Sequence, residues 1–326
     1  VKNLFPKLIQ IIVSCLLVSY LFSRLEWENF LKFKEAVSSP WLFLSPLISL
    51  CVLSIAALRW KILVKNFNFS RPYLFFYRNY CLGSFFNVLL PGSLGGDVLR
   101  VRSTQKSGLS LRASSFVVIT ERVSGLISIF VLGSVASFFV KDLKISKLGP
   151  QLLYPMYFFA LTGLLLLFFV ALLFKKPSWQ KKIVKRIPQL KSLISSSQDF
   201  RHLSLNKMML PLFLSSLVQI VDFFVSILMA YILGINVSPF VFLIIAPAVF
   251  IATALPISLG GLGIREGAMA HFLSLFGVNF EQSILLAFLL HTNSIFVALL
   301  GGLVYSISKK REEKLSASLA TLTHYP

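Results

Sequence analysis

Charge is scarce in this chain. Only 13% of its 326 residues are Asp, Glu, Lys or Arg, and the acidic residues number 12. That scarcity excludes a soluble all-helical protein, whose helices need a polar face. Cysteine is scarce too. Cys15, Cys51 and Cys81 all fall in apolar runs without metal-ligand spacing, so they read as packing residues rather than a disulfide framework or a zinc site. Neither metal nor cofactor is expected. No Walker A loop or other nucleotide-phosphate motif occurs, so the chain by itself is not expected to be an ATPase. No small-residue cleavage site follows the first apolar run, and that run is expected to persist as a span.

Apolar residues are abundant: 56% of the chain, with a mean hydropathy of +0.80. Several uninterrupted apolar runs have membrane-crossing length. The fold class expected is an all-α polytopic membrane protein. Six full spans are read at 8–22, 40–58, 113–140, 152–174, 208–233 and 283–306. Residues 26–36, mixed in charge, are expected to lie on the outer surface as an amphipathic helix.

Two further apolar stretches, 73–90 and 239–255, each run into a proline-glycine segment. The first is Leu90-Pro-Gly-Ser93-Leu-Gly95-Gly96-Asp97-Val-Leu-Arg100. The second is Leu255-Pro-Ile-Ser258-Leu-Gly260-Gly261-Leu-Gly-Ile-Arg265. Seven of the eleven positions are identical. Pro and paired Gly interrupt helices, and at membrane depth such an interruption persists only where protein or water satisfies the freed backbone groups. Both stretches are therefore expected to be re-entrant helical hairpins, and two matching interruptions point to a transport site.

The net charge of +20 does not call for a nucleic-acid partner, because the basic residues gather between spans. With both termini in the cytoplasm and both hairpins re-entrant, 23 Lys and Arg face inward and 6 outward, as the positive-inside rule requires. Arg59 and Arg100 count among the inner-loop residues, and Arg78, Arg122 and Arg265 fall at membrane depth. The same topology makes 40–140 and 208–306 an inverted repeat. Residues 1–39 form an N-terminal span and outer segment, 141–207 a connector span with a basic cytoplasmic loop, and 307–326 a cytoplasmic tail.

Charges inside a bilayer are costly and are functional candidates. Arg100, Arg122 and Arg265 are the candidate binders of an anionic headgroup, since a guanidinium holds two phosphate oxygens at once. Ser93 and Ser258 supply hydroxyls, and Gly95, Gly96, Gly260 and Gly261 let a ligand approach the backbone. Asp97, Glu121, Asp222 and Glu266 are the candidate coupling or ion-pairing carboxylates. His271 and His291 read as buried hydrogen-bonding residues before proton relays. Asn87, Gln219 and Asn293 read as interhelical hydrogen-bonding residues. The pair Gly301-Gly302 permits close helix packing and leaves the oligomeric state open.

Three motifs in order carry a family resemblance: Asn87 through Arg100, then Glu121-Arg122-Val-Ser-Gly125-Leu126, then Pro256 through Gly267. Together they resemble the flippase-like transmembrane family, which includes the membrane half of lysylphosphatidylglycerol synthase/flippase proteins. The resemblance implies movement of a lipid with a polar headgroup across the cytoplasmic membrane of a prokaryote. Its implied partners are an anionic or aminoacylated phospholipid, or a polyprenyl-phosphate lipid. Bifunctional members continue into an aminoacyl-transfer domain; the residues after 306 read only as a short polar tail, and no enzyme activity is expected. Two other classes compete. Ser93 with His271 or His291, or Asp97 with Asp222, would suit an intramembrane hydrolase. A non-transporting partner of a separate lipid-modifying enzyme is the third.

Overall fold

Two sets of four helices follow one another with the same order of long, shorter, short, long. The computed structural model describes residues 4–24, 38–89, 95–140, 161, 205–254, 258 and 261–322. Among these residues there are nine α-helices and no strand. Helix α1 is Leu4–Phe22. The first set is α2 (Leu44–Lys65), α3 (Tyr73–Leu89), α4 (Gly95–Lys106) and α5 (Leu111–Ser137). The second is α6 (Leu205–Ile232), α7 (Phe240–Ala254), α8 (Ile264–Ser274) and α9 (Phe280–Leu322).

Four helical segments are long and apolar enough to cross a membrane: Pro40–Lys65, Leu111–Ser137, Lys207–Ile232 and Phe280–Val304. These coincide with four of the six expected spans. The expected span 8–22 is helical, with Gln10–Phe22 as its shorter apolar part. The connector span 152–174, residues 175–204 of the basic loop and the surface segment 26–36 lie outside the described residues, apart from the exposed Leu161; the loop's last residues, through Lys207, are the start of α6. Large apolar side chains such as Phe43, Phe213, Tyr231 and Leu303 stand exposed. An apolar outer surface of that extent matches lipid rather than water.

Each short helix turns back on its predecessor. Asn87 Oδ1 accepts the Gly96 N–H at 2.7 Å, and Ser103 Oγ donates to Asn79 Oδ1. As α4 advances, its contacts retreat along α3, so the two run antiparallel. Their crossing is close: a Cβ on Gly96 would lie 2.5 Å from the Gly83 carbonyl oxygen. In the second set Gly261 lies against Thr253 at the α7 end, and Ile244 and Ile245 of α7 share a core with Met269 and Leu273 of α8.

The hairpins are exchanged between the sets. Helix α3 packs on α9, and α7 packs on α5. Gly301 of α9 meets the Cys81 carbonyl of α3 so closely that no Cβ fits. The Gly301-Gly302 pair thus serves packing within the chain. Swapping α2 to α5 for α6 to α9 converts each of these contacts into another observed one. The two sets also meet through α2 and α6, where Arg59 reaches Ser215 while Val52 and Ala56 pack with Val218. The pairing advances on one helix as it retreats on the other, so α2 and α6 are antiparallel. One core surrounds Trp60 and Phe76 of the first set, and another surrounds Met229, Ile245 and Leu286 of the second.

Candidate functional site

Five charged side chains meet where α2, α3, α4, α5 and α6 converge. Helical spacing starts the arrangement: Asp97 and Arg100, three residues apart, share one face of α4. Arg100 Nη2 donates to Asp97 Oδ1 at 2.5 Å, and Arg122 Nε of α5 donates to Asp97 Oδ2 at 2.7 Å. Both oxygens of Asp97 are thus held by guanidinium groups.

Glu121 is the hub. Its side chain is 2% exposed. Arg59 Nε donates to Oε1 at 3.1 Å, the Tyr80 hydroxyl donates to the same oxygen, and Arg100 Nη1 donates to Oε2. Arg59 Nη1 also donates to Ser215 Oγ at 2.8 Å, and Ser215 and Ser124 share a hydrogen bond of 2.9 Å. The Arg100 guanidinium lies 4.3 Å from the Tyr80 ring centre and 5.5 Å from that of Trp60. Aromatic faces stabilise a desolvated cation there.

The count of charges is informative. Three arginines meet two carboxylates, a formal excess of one positive charge. The network lines a cavity of about 240 Å³ together with Asn87, Gly96 and Gln219. Arg122 keeps 37% of its side chain exposed, against 7% for Arg100. The rest of the lining is largely apolar, with Val52, Leu126, Val218 and Phe250 among it, so the surplus positive charge is concentrated on one wall, and Arg122 is the most exposed of its three arginines.

The second hairpin is equipped differently. Glu266 is fully buried at the start of α8. Its Oε2 accepts the Gly263 N–H at 2.6 Å, and its Oε1 lies 3.1 Å from His291 Nδ1 on α9. That separation is within ion-pair range but lacks the alignment of a hydrogen bond. Arg265 is near enough for its charge to act on Asp222 of α6. Ser258 is fully buried and its hydroxyl has no hydrogen-bond partner among the described residues.

The structure thus brings Asp97, Arg100, Glu121 and Arg122 into one network, while Arg265, Glu266 and Asp222 belong to the second hairpin and its neighbours. Gly95 and Gly96 are buried at the start of α4. The Gly96 N–H is taken by Asn87, so this glycine serves helix contact. Gly261 has φ +83°, a conformation that favours glycine. Ser93 and Gly260 lie outside the described residues. His271 is exposed beside Phe272, and Asn293 bridges α9 to Ser45 and Ser49 of α2.

Three readings need correction. His271, expected to be buried, is exposed, and Arg100, counted with the inner-loop charges, is buried in the network. Arg59 is not a loop charge: α2 continues to Lys65, which places Arg59 inside the bundle, 7% exposed and paired with Glu121. The signal was the apolar pattern resuming after it, in Trp60, Ile62, Leu63 and Val64. Tyr80 and Ser215 are the other partners that sequence reasoning missed, and nothing in their local sequence sets them apart from helix-packing residues.

No curated protein matches the chain. The family described as "Lysylphosphatidylglycerol synthase TM region" matches residues 7–302. That span contains both proline-glycine segments, both hairpins and every charged side chain of the network, and so the chain belongs to the family of lysylphosphatidylglycerol synthase transmembrane regions.

Proposed function

We propose that this membrane protein translocates a phospholipid, or another lipid with a phosphate-containing headgroup, across the prokaryotic cytoplasmic membrane. The observation that carries this reading is the buried Arg59–Glu121–Arg100–Asp97–Arg122 network, lining a cavity beside an interrupted helix. A bundle that needed only stability would be served as well or better by apolar packing, because burying ion pairs costs desolvation. Arg100 of the first hairpin and Arg122 of α5 meet the headgroup phosphate on one side and Arg265 of the second hairpin on the other, with Ser93, Ser258 and the tip glycines beside them. Asp97, Glu121, Asp222 and Glu266 balance these charges and serve coupling.

Alternating access follows from the proposed inverted repeat. The antiparallel α2–α6 pairing and the exchanged hairpins support it, since a fold in two oppositely directed halves has inward- and outward-open states of similar energy. In this reading both hairpins are re-entrant and both termini are cytoplasmic. An aspartyl hydrolase is disfavoured because such chemistry needs a second carboxylate beside the first, whereas both Asp97 oxygens are held by arginines.

The test is headgroup-accessible lipid transfer in proteoliposomes. Phosphatidylglycerol, its aminoacylated form and a polyprenyl phosphate are offered separately to wild type, Asp97→Asn, Arg100→Ala and Arg265→Ala. Transfer of at least one lipid is expected, with a loss of ten-fold or more in each variant, the change that about 1.4 kcal/mol gives. Folded wild-type protein that transfers none of them, with or without a proton gradient, would overturn the reading.

A further inference from the structure

The Asp97–Arg122 ion pair borders two cavities. One is the chamber walled by the ion network. The other is a larger groove of about 560 Å³ on the outer side of α4 and α5. Helical periodicity builds it: Val98, Val101 and Arg102 of α4 face Ser115, Ile119 and Arg122 of α5. Because α4 turns directly into α5, the groove is shallow at Gln105 and Leu111 and deep at Asp97 and Arg122. Arg122 lies eleven residues into α5, or about 16 Å along the axis, roughly half the thickness of a hydrocarbon core.

The lining has an order. Exposed Arg102 stands nearer the shallow end, apolar Val98, Val101 and Ile119 form the walls, and Arg122 closes the deep end. An exposed arginine near one end and an Arg122–Asp97 pair at the other, joined by an apolar track, fit one kind of occupant: an anionic lipid whose chains stay against the walls while its phosphate meets arginine, displacing the carboxylate at the deep end. A free anion has no use for the apolar walls, and a neutral lipid has none for the arginines.

We infer that the α4–α5 groove is a lateral lipid slot, in which Arg102 takes the phosphate at the shallow end and Arg122 at the deep end. The Asp97–Arg122 pair is the partition that must open for the headgroup to reach the chamber. This inference rests on the translocation reading for what happens beyond the partition, but the binding of lipid in the slot does not.

The test places the photo-reactive residue p-benzoylphenylalanine at position 119, 55% exposed in the groove, or at position 231, 73% exposed on α6. Each protein enters phosphatidylcholine vesicles containing labelled phosphatidylglycerol or labelled diacylglycerol at equal mole fraction. Capture at 119 is expected to favour phosphatidylglycerol by roughly tenfold, with no preference at 231. Arg102→Gln and, separately, Arg122→Gln should each lower the preference at 119. Arg102 is exposed, so its variant does not threaten the fold. Equal capture at 119 and 231, an unchanged preference in Arg102→Gln, or capture of residues 141–204 of the chain itself would each overturn the slot. Lipid transfer measured in the same vesicles separates the two ideas. Selective capture without transfer keeps the slot and removes translocation; transfer without selective capture does the reverse.

Discussion

The two helical hairpins are alike in backbone and unlike in charge. Both consist of an apolar helix, a proline-glycine interruption and a short return helix, and both pack on the final helix of the other set. The α3–α4 hairpin contributes Asp97 and Arg100 to a network of three arginines and two carboxylates that α2 and α5 complete. The α7–α8 hairpin carries one buried carboxylate, divided between a backbone amide and His291. The lesson is that the repeat preserves the interruption, which is a matter of backbone, while each copy's chemistry depends on the helices that happen to face it. Glu121 of α5 approaches the first hairpin's arginine; His291 of α9 approaches the second's glutamate.

The comparison is broken most directly at the two carboxylates. Glu121→Ala removes the acceptor for Arg59, Arg100 and Tyr80 at once. Two buried guanidinium groups then lose a counter-charge, a loss worth about 3–5 kcal/mol. Glu266→Ala strips a buried Gly263 N–H of its acceptor and is expected to cost about 1–3 kcal/mol. Thermal unfolding in detergent should therefore rank Glu121→Ala well below Glu266→Ala. Equal midpoints would mean that the first network is no more strongly coupled to the fold than the second.

Much of this contrast was legible beforehand, and what escaped has a definite cause. The repeated Leu-Pro-x-Ser-Leu-Gly-Gly segment marked both interruptions, because proline and paired glycine act through local backbone geometry. Asp97, Arg100, Glu121 and Arg122 stood out because charge in an apolar run is conspicuous. Arg59 escaped because it sits where the apolar run 51–58 ends, and the end of a run was taken as the end of the span. Its real position depends on α2 continuing to Lys65 and on Ser215 arriving from a helix 156 positions away. Tyr80 escaped for a similar reason: a tyrosine among aromatics announces no ion pair. The crossing of Gly83 with Gly96, and of Gly301 with Cys81, is likewise a property of two elements meeting, which neither element's sequence displays.

The hairpins also differ in why they need glycine. At Gly96 the constraint is space, since a Cβ would overlap the Gly83 carbonyl. At Gly261 the nearest atom to an added Cβ is 3.6 Å away, so space suffices, but φ is +83°. Gly96→Ala is expected to force α3 and α4 apart at a cost of about 1–3 kcal/mol, the usual range for overpacking. Gly261→Ala meets only the left-handed penalty, about 1–2 kcal/mol. Ala at 83 cannot relieve the first, whereas Asn at 261, which tolerates that φ, should recover part of the second. Unfolding midpoints of Gly96→Ala, Gly261→Ala and Gly261→Asn read this directly. Recovery by Asn that fails to appear would place the Gly261 requirement in packing after all.

The finest comparison lies in the two seams that the exchange of sets relates, α2 with α9 and α6 with α5. Asn293 Nδ2 donates to Ser49 Oγ at 2.9 Å, and Ser45 Oγ donates to Asn293 Oδ1 at 3.1 Å. In the other seam Ser216 Oγ donates to Ser128 Oγ at 3.2 Å, next to the Ser124–Ser215 bond. Both seams join their two helices by small polar side chains. In hydrocarbon such bonds average only about 0.6 kcal/mol, because the separated helices find other partners. Asn293→Ala should cost little more than that, and a double-mutant cycle with Ser49→Ala should give a coupling of about the same size. Ser216→Ala, with its single longer bond, should cost less still. A coupling well above 1 kcal/mol at Asn293 would show that the α2–α9 seam is held by its polar bonds as firmly as the ion network holds its own helices.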